Sequence, residues 1–366
     1  MTNRLLAGIL TALIVLNVGP ARRAQLLVDQ GIVIENVTLI SPERSSPLLH
    51  ANVIIRDGRI IEVGTTLVAG SYKRRIDGTG RFLIPGLIDS HVHVGRSGAL
   101  DDDAIGAHPA LWAAYRSQVP RGYLAFGFTS IVDLDLAGTD RTWFEGTPLH
   151  PRLYSCGRGI KVANGYMAFN IPSASSPQFP NLVYEPKEAE HWPKSLDPGD
   201  YTPERAVSRA ADAGAICVKA FVESGFGTFN WPHLRTETLQ KIQAAAKARK
   251  LVLIVHANSA GSWRSALDAH ADIIAHGLWV WPGDFANSLP PPAVSGVIDS
   301  AARSGTRVQP TFQTVAGERA MIDPSLLDDP RITLALPASV IAYLRSPDGV
   351  KCSVGRISES RPTARF

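Results

Sequence analysis

The chain holds three cysteines, Cys156, Cys217 and Cys352, among its 366 residues. They form no recognisable framework, so the fold must come from a packed core rather than from a disulfide scaffold. Charge of one sign is also scarce. The net is +4 and the arginines are scattered, so no basic stripe is present and nucleic acid is excluded as the partner. No internal repeat stands out. The longest apolar run near the start, from Leu5 to Val18, is too short for a comfortable membrane span. What is present is 45% hydrophobic and 19% charged residues. That is enough to bury a substantial core, in one large α/β barrel or two ordinary domains, and it excludes a disordered chain.

The N-terminus reads as a targeting segment. Arg4, the apolar run, then Gly19-Pro20-Ala21 and Ala24 match the charged, apolar and small-residue parts of a secretory signal peptide. The expectation is a signal peptide over 1–24 and an exported protein, periplasmic or secreted. From 25 to 82 the pattern is one of short strands. Val33-Ile34, Val37-Thr38-Leu39-Ile40, Val53-Ile54-Ile55 and Ile60-Ile61-Glu62-Val63 are β-rich, and Asp57-Gly58 between two of them is a hairpin signal. This predicts a small β-sandwich subdomain without metal ligands or nucleophiles, in which His50 is a loop residue.

Beyond it, strands and helices alternate. Expected strands are 87–94, 129–134, 152–156, 216–221, 251–256, 272–276 and 307–311. Helical patterns cover 109–126, 203–213, 236–250, 262–270 and 291–304. Alternation of this kind implies parallel strands with crossover helices. Thr202-Pro203 starts one helix well, and Gly214 stops it. Seven such units point to a TIM-like (β/α)8 barrel over 83–345, whose catalytic face lies at the strands' C-terminal ends; an open doubly wound sheet is the other architecture.

Chemistry-bearing residues fall at those ends. In the segment 85–94, an apolar run ends in His91 and His93, which on a strand project from one face and can grip one metal ion. Lys219, His256 and His276 also close apolar runs. Lys219, set between Cys217, Val218, Ala220 and Phe221, is poorly solvated, which lowers its pKa and makes the neutral amine accessible. A lone strand histidine is usually a packed core residue. The 20 positions from 256 to 276 hold one complete strand-helix-strand step, which favours two ligands on adjacent strands. His108, His150, His191, His233 and His270 lack such placement and read as solvated or structural, although His233 lies in a loop near the expected mouth.

Pro85-Gly86-Leu87-Ile88-Asp89-Ser90-His91-Val92-His93, with Val218-Lys219-Ala220-Phe221, Val255-His256-Ala257 and Ala275-His276-Gly277, resembles the amidohydrolase superfamily. The likeness is to its imidazolonepropionase-like and Xaa-Pro dipeptidase-like branch, and it runs from Gly31 to Leu344. The resemblance implies a binuclear site with Zn2+ as the usual metal. His91 and His93 would hold one ion, His256 and His276 the other, with Lys219 bridging them as a carbamate. It also implies metal-activated hydroxide attacking the carbonyl of an amide, peptide or cyclic amide, with an acid-base aspartate at the end of the eighth strand.

Here the sequence departs from the family. Only 22 residues follow Leu344, with no Thr-Asp pair and little apolar periodicity, and Asp348 sits in a Pro-Asp-Gly turn. The expectation is a barrel lacking its last strand, an irregular tail over 346–366, and a coding sequence truncated or out of frame near Lys351. No catalytic acid-base residue is identified. Loss of that group costs roughly two to four orders of magnitude in rate.

Substrate identity rests with the loops. The longest, 157–201, carries Tyr166, Phe169, Phe179, Tyr184 and Trp192 and reads as a lid or pocket wall, or as a surface excursion. Trp231, Trp263, Trp279 and Trp281 also follow strand ends, in keeping with an aromatic substrate portion. Three functions stay open. The first is a C–N hydrolase of dipeptides, N-acyl amino acids or cyclic amides; the second is a mononuclear deaminase or imidazolone-type hydrolase using His91, His93 and His256. The third is a catalytically silent metal-binding remnant. The expected partner is a small-molecule substrate, with a homo-oligomer left open.

Overall fold

A computed structural model describes residues 31–350 apart from 67–69, 98, 169–180, 227–228, 282–289, 315–316 and 318–322. The signal peptide read over 1–24, Phe169 and Phe179 of the long loop, and the tail from Lys351 lie outside the described residues. The chain divides into two compact units, Met1–Pro85 and Gly86–Phe366.

The first unit is one sheet of β1 (Ile32–Leu39), β2 (Leu48–Arg56), β3 (Arg59–Gly64), β4 (Arg74–Asp77) and β5 (Phe82–Leu83). Its order is β3-β2-β1-β4, with β5 also on β1. Asp57 and Gly58 join β2 to β3 with φ of 50° and 71°, the two left-handed residues that a tight hairpin requires. Val33, Val37, Ala51, Val53 and Ile54 are buried in it. The expected sandwich has no second sheet among the described residues. His50 is not in a loop: it lies on β2 at φ 53°, beside register shifts in the β1–β2 pairing, with Nδ1 2.7 Å from Asn36 Oδ1.

The second unit carries two parallel sheets. One is β6 (Leu87–Val92), β7 (Phe128–Asp133) and β8 (Arg152–Ser155) in that order; the other runs β12-β11-β10-β9 with β9 (Cys217–Phe221), β10 (Val252–His256), β11 (Ile273–Ala275) and β12 (Arg307–Gln309). The helices are α1 (Asp102–Ala107), α2 (Pro109–Ala125), α3 (Gly138–Glu145), α4 (Pro203–Asp212), α5 (Thr236–Ala248), α6 (Ala260–Asp268), α7 (Pro292–Ser304), α8 (Ile332–Ala335) and α9 (Ala338–Leu344). Thr202 Oγ1 caps α4 by accepting from Arg205 N–H, and Ser259 and Ser262 form a reciprocal capping box on α6. Residues 347–350, expected as a turn, are helical. Among the described residues no helix is long and apolar enough to cross a membrane.

Two-residue periodicity sorts each strand's side chains. On β9 and β10, Val218, Ala220, Leu253 and Val255 pack outward, in one cluster with Ala206 and Ala210 of α4, Leu239 and Ile242 of α5 and Trp263 of α6. Their neighbours Cys217 and Ile254 face the other way, in a second cluster with Leu134, Cys156 and Ala275. Lys219 and His256 share that inward register.

No strand ladder joins β8 to β9 or β12 to β6 among the described residues, so where a closed barrel was expected two parallel sheets are seen. Individual contacts cross both seams. Ile216 N–H donates to Ser155 O at 2.9 Å, and Ile160 donates to Lys219 O at 2.7 Å and accepts from Phe221 N–H at 3.1 Å. Cys156 and Cys217, which showed no pairing in sequence, form a disulfide across the β8–β9 seam, 61 positions apart. Chain separation hid the pair; the end of β8 meets the start of β9. At the other seam, Gln309 Nε2 donates to Ser90 O and Oγ, each at 3.0 Å.

Candidate functional site

Each of the five residues singled out by the sequence stands on, or within a residue of, the C-terminal part of a strand. His91 is on β6 and His93 follows it. Lys219 lies inside β9, His256 ends β10 and His276 follows β11. The Asp89 carboxylate accepts the His91 backbone N–H at 3.0 Å, fixing the strand end from which both histidines project. Gly86 is needed where β6 starts: a Cβ there would lie 2.0 Å from Thr129 Oγ1.

The four imidazoles are brought together. Ring centroids are 5.4 Å apart for His91 and His93, 4.9 Å for His91 and His276, and 4.5 Å for His256 and His276. Lys219 is fully buried, at 0% exposure. Its Nζ has no hydrogen-bond partner, and neither do His91 Nδ1 and His256 Nε2. Desolvation brings the Lys219 pKa from 10.5 down to about 7. Burial, then the nearby Lys219 charge, holds His93 down at about 3. His91 and His256 are pushed down by the same two causes, and His276 by burial, then His256 and Lys219. A buried group that loses water and faces like charges keeps its neutral form. Near neutral pH the cluster therefore offers nitrogen lone pairs rather than cations.

Around this cluster stand residues the sequence reading passed over. Thr311 Oγ1 lies 2.9 Å from His276 Nδ1, which fixes that ring and leaves its Nε2 for another contact. Asp133 Oδ1 is 4.0 Å from His93 Nδ1, and Glu223 Oε2 is 3.5 Å from His256 Nε2. Burial raises the Asp133 carboxyl to about 7, against two backbone N–H donors, those of Val94 and Asp135. Glu223 is raised by burial too, while its Oε1 accepts from the Gly225 and Phe226 N–H groups. Asp135 forms a buried pair with Lys161 Nζ at 2.8 Å and meets Arg158 at 3.2 Å. Asp133 closes a predicted strand and was legible on that ground; nothing local marks Lys161 or Glu223.

The remaining histidines have structural partners. His233 Nδ1 is 3.1 Å from Trp231 O, and its Nε2 is 3.3 Å from Arg235. His150 bonds Pro151 O, and the His108 ring meets Tyr343. Of the tryptophans, Trp263 is core, its Nε1 donating to Ala257 O at 2.9 Å, whereas Trp231 and Trp279 border the histidines through Tyr166 and His276. Tyr184 and Trp192 of the long loop pack on one another instead.

The donor set suits a divalent ion such as zinc, which takes neutral imidazole nitrogen readily, and the orphaned buried nitrogens are what such an ion would satisfy. Among the described residues no group of three or more His, Cys, Asp or Glu converges at ligand spacing. The rings form one run, His93 to His91 to His276 to His256, and all four feel Lys219.

The second unit is thus an α/β unit of parallel strands with four histidines and a desolvated lysine at the strand ends. No protein-family model matches the chain. The imidazolonepropionase of Mycolicibacterium smegmatis is 32% identical over 118 residues, 32% of this chain and 27% of that protein. The dihydroorotase of Mycobacterium tuberculosis is 24% identical over 229 residues, 58% and 52%. The chain thus spans at most about half the length of these curated relatives. Among solved structures, an amidohydrolase superposes with TM-score 0.57 at 22% identity, covering 90% of this chain and 75% of that one. A Xaa-Pro dipeptidase with bound methionine gives 0.54 at 19%, covering 90% and 77%. The resemblance to the amidohydrolase superfamily, in its imidazolonepropionase-like and dipeptidase-like branch, is borne out.

Proposed function

We propose that the chain is a metal-dependent hydrolase of C–N bonds in amides, dipeptides or cyclic amides. The observation that carries this reading is the buried Lys219 Nζ, without a hydrogen-bond partner, beside four imidazoles. A fully buried amine is costly unless it is put to use. Its neutral form can add to carbon dioxide: the nitrogen lone pair bonds the carbon, a proton leaves, and a carbamate with two anionic oxygens results.

His91 and His93 would hold one ion, His256 and His276 a second, with the Lys219 carbamate between them. When bound, such ions lower the pKa of a water and polarise a carbonyl. The chain's own residues do the rest. Thr311 fixes the His276 ring, Asp133 and Glu223 place carboxylates near His93 and His256, and the desolvated walls keep the imidazoles neutral. Export accords with the Cys156–Cys217 disulfide, since such bonds persist in oxidising compartments.

The test is metal content per purified chain, with hydrolysis of a panel of dipeptides, N-acyl amino acids and hydantoins. Carbon-13 NMR after labelled bicarbonate supplies a readout independent of turnover. Expected are bound zinc, C–N cleavage, and a carbamate signal lost in Lys219→Ala. A folded, metal-loaded chain that cleaves none of the panel overturns the hydrolase reading.

A further inference from the structure

Beside the His256 ring begins a run of aromatic rings that the hydrolase reading does not use. Tyr166 lies over His256 with centroids 4.9 Å apart and planes tilted by 36°. Trp231 stacks on Tyr166 at 5.6 Å and 22°, and Phe229 on Trp231 at 5.0 Å and 6°. Phe226 presents its edge to Tyr166 and Trp231, at 5.4 and 5.6 Å. The run starts at a histidine that is 3% exposed and ends at Phe229, which is 45% exposed. It therefore leads from the buried imidazoles to solvent. On the side of His276, Trp279 lies at 5.0 Å, with its Nε1 buried and without a hydrogen-bond partner.

Core aromatics bury their rings completely, whereas Tyr166, Phe226 and Trp231 are only partly buried and Phe229 is exposed, so the stack presents apolar ring surface that a ligand can cover. Two separate parts of the chain, Tyr166 on one side and Phe226, Phe229 and Trp231 on the other, converge to make it. The unpartnered Trp279 N–H, at the His276 side of the same run of imidazoles, is a donor for a polar atom of the same ligand.

We propose that this stack is a substrate subsite that selects an aromatic or other flat apolar group next to the scissile C–N bond. The proposal rests on the hydrolase reading for its chemistry and on the ring geometry for its selectivity. Tyr166 and Trp231 are the specificity-determining residues, and Trp279 orients the polar part of the substrate.

Two matched pairs of compounds test it: N-acetyl-phenylalanine against N-acetyl-alanine, and the phenyl- against the methyl-substituted form of one hydantoin. The zinc-loaded chain is expected to favour the aromatic member in kcat/KM by about tenfold or more, the effect of covering one ring in an aromatic site. Trp231→Leu and Tyr166→Leu, each checked by its thermal midpoint, are expected to cut that ratio several-fold. Equilibrium binding of the same pairs, followed by tryptophan fluorescence, is measured alongside. If hydrolysis proceeds without aromatic preference, or if the preference survives both substitutions, the subsite is wrong and the hydrolase reading stands. If nothing is hydrolysed but the aromatic binding preference is present and falls in both variants, the subsite stands and the hydrolase reading fails.

Discussion

Replacing Lys219 with methionine removes the amine and keeps a chain of similar length, which makes it the sharpest test of the electrostatic argument. A pKa lowered from 10.5 to about 7, at about 1.4 kcal/mol per pH unit, makes the charged form about 5 kcal/mol costlier to hold folded than unfolded. Between those two values the unfolded chain binds the proton and the folded chain does not, so stability rises with pH across that window. At pH 7 the folded lysine is half charged and the penalty is about 4 kcal/mol; by pH 9 it is about 2 kcal/mol. Lys161 is lowered as well and adds slope of the same sign, but it is common to both proteins and cancels in their difference. The assay is urea unfolding of metal-free protein in carbonate-free buffer from pH 7 to 9. Lys219→Met is expected to be the more stable at pH 7, with its advantage shrinking by about 2 kcal/mol at pH 9. A difference that does not change with pH refutes the desolvated amine, and with it the route to a carbamate.

Two further outcomes follow from the disulfide and from the buried imidazoles. Serine at Cys156 or Cys217 opens a loop of 61 positions and is expected to cost about 4 kcal/mol on the chain-entropy estimate, read as a lower urea midpoint that added reductant does not lower further; equal midpoints for variant and oxidised wild type would exclude the bond. The four imidazoles, all held below their ordinary pKa, bind protons in the unfolded chain first, so metal-free protein loses stability as pH falls below 6.5. Asp89, Asp133 and Glu223, raised by burial, oppose this at mildly acid pH, and the loss is steepest below about pH 4.5, where the unfolded carboxylates also protonate. A pH titration of the urea midpoint checks it, and a midpoint flat from pH 6.5 to 4 contradicts the buried neutral cluster.

Much of the second unit was legible because apolar runs of strand length, bounded by Gly, Pro or Asp, alternate with helical periods. All seven expected strands and all five expected helices are present with ends shifted by a residue or two. His91, His93, His256 and His276 were legible because each stands at or beside the end of such a run, and Lys219 because it is a lone charge within one. The α3 helix escaped notice because it is short and its N-cap, Ala137, has no side-chain cap. Pairs set by spatial adjacency were beyond reach: Cys156 with Cys217, Asp135 with Lys161, Glu223 with His256. Each joins segments whose local sequence carries no trace of the partner. Tyr166 and Trp231 belong to the same kind, since the sequence marked both as aromatic but not which rings they would meet.

The seam explains why these long-range contacts cluster where they do. His91 and His93 belong to the three-stranded sheet, and Lys219, His256 and His276 to the four-stranded one. With no ladder between β8 and β9 among the described residues, the position of Lys219 relative to His91 is held by ties such as the disulfide two residues before Lys219, the Ile160 bonds to Lys219 and Phe221, and the Gln309 bonds to Ser90 at the other edge. A buried ladder would fix that distance through many weak bonds; a seam leaves it to few strong ones. Ligands drawn from both sides of such a seam make any ion they hold a further tie, because binding to the folded arrangement alone adds its free energy to sheet closure. The same residues that would carry the chemistry would therefore also help hold the two sheets in register.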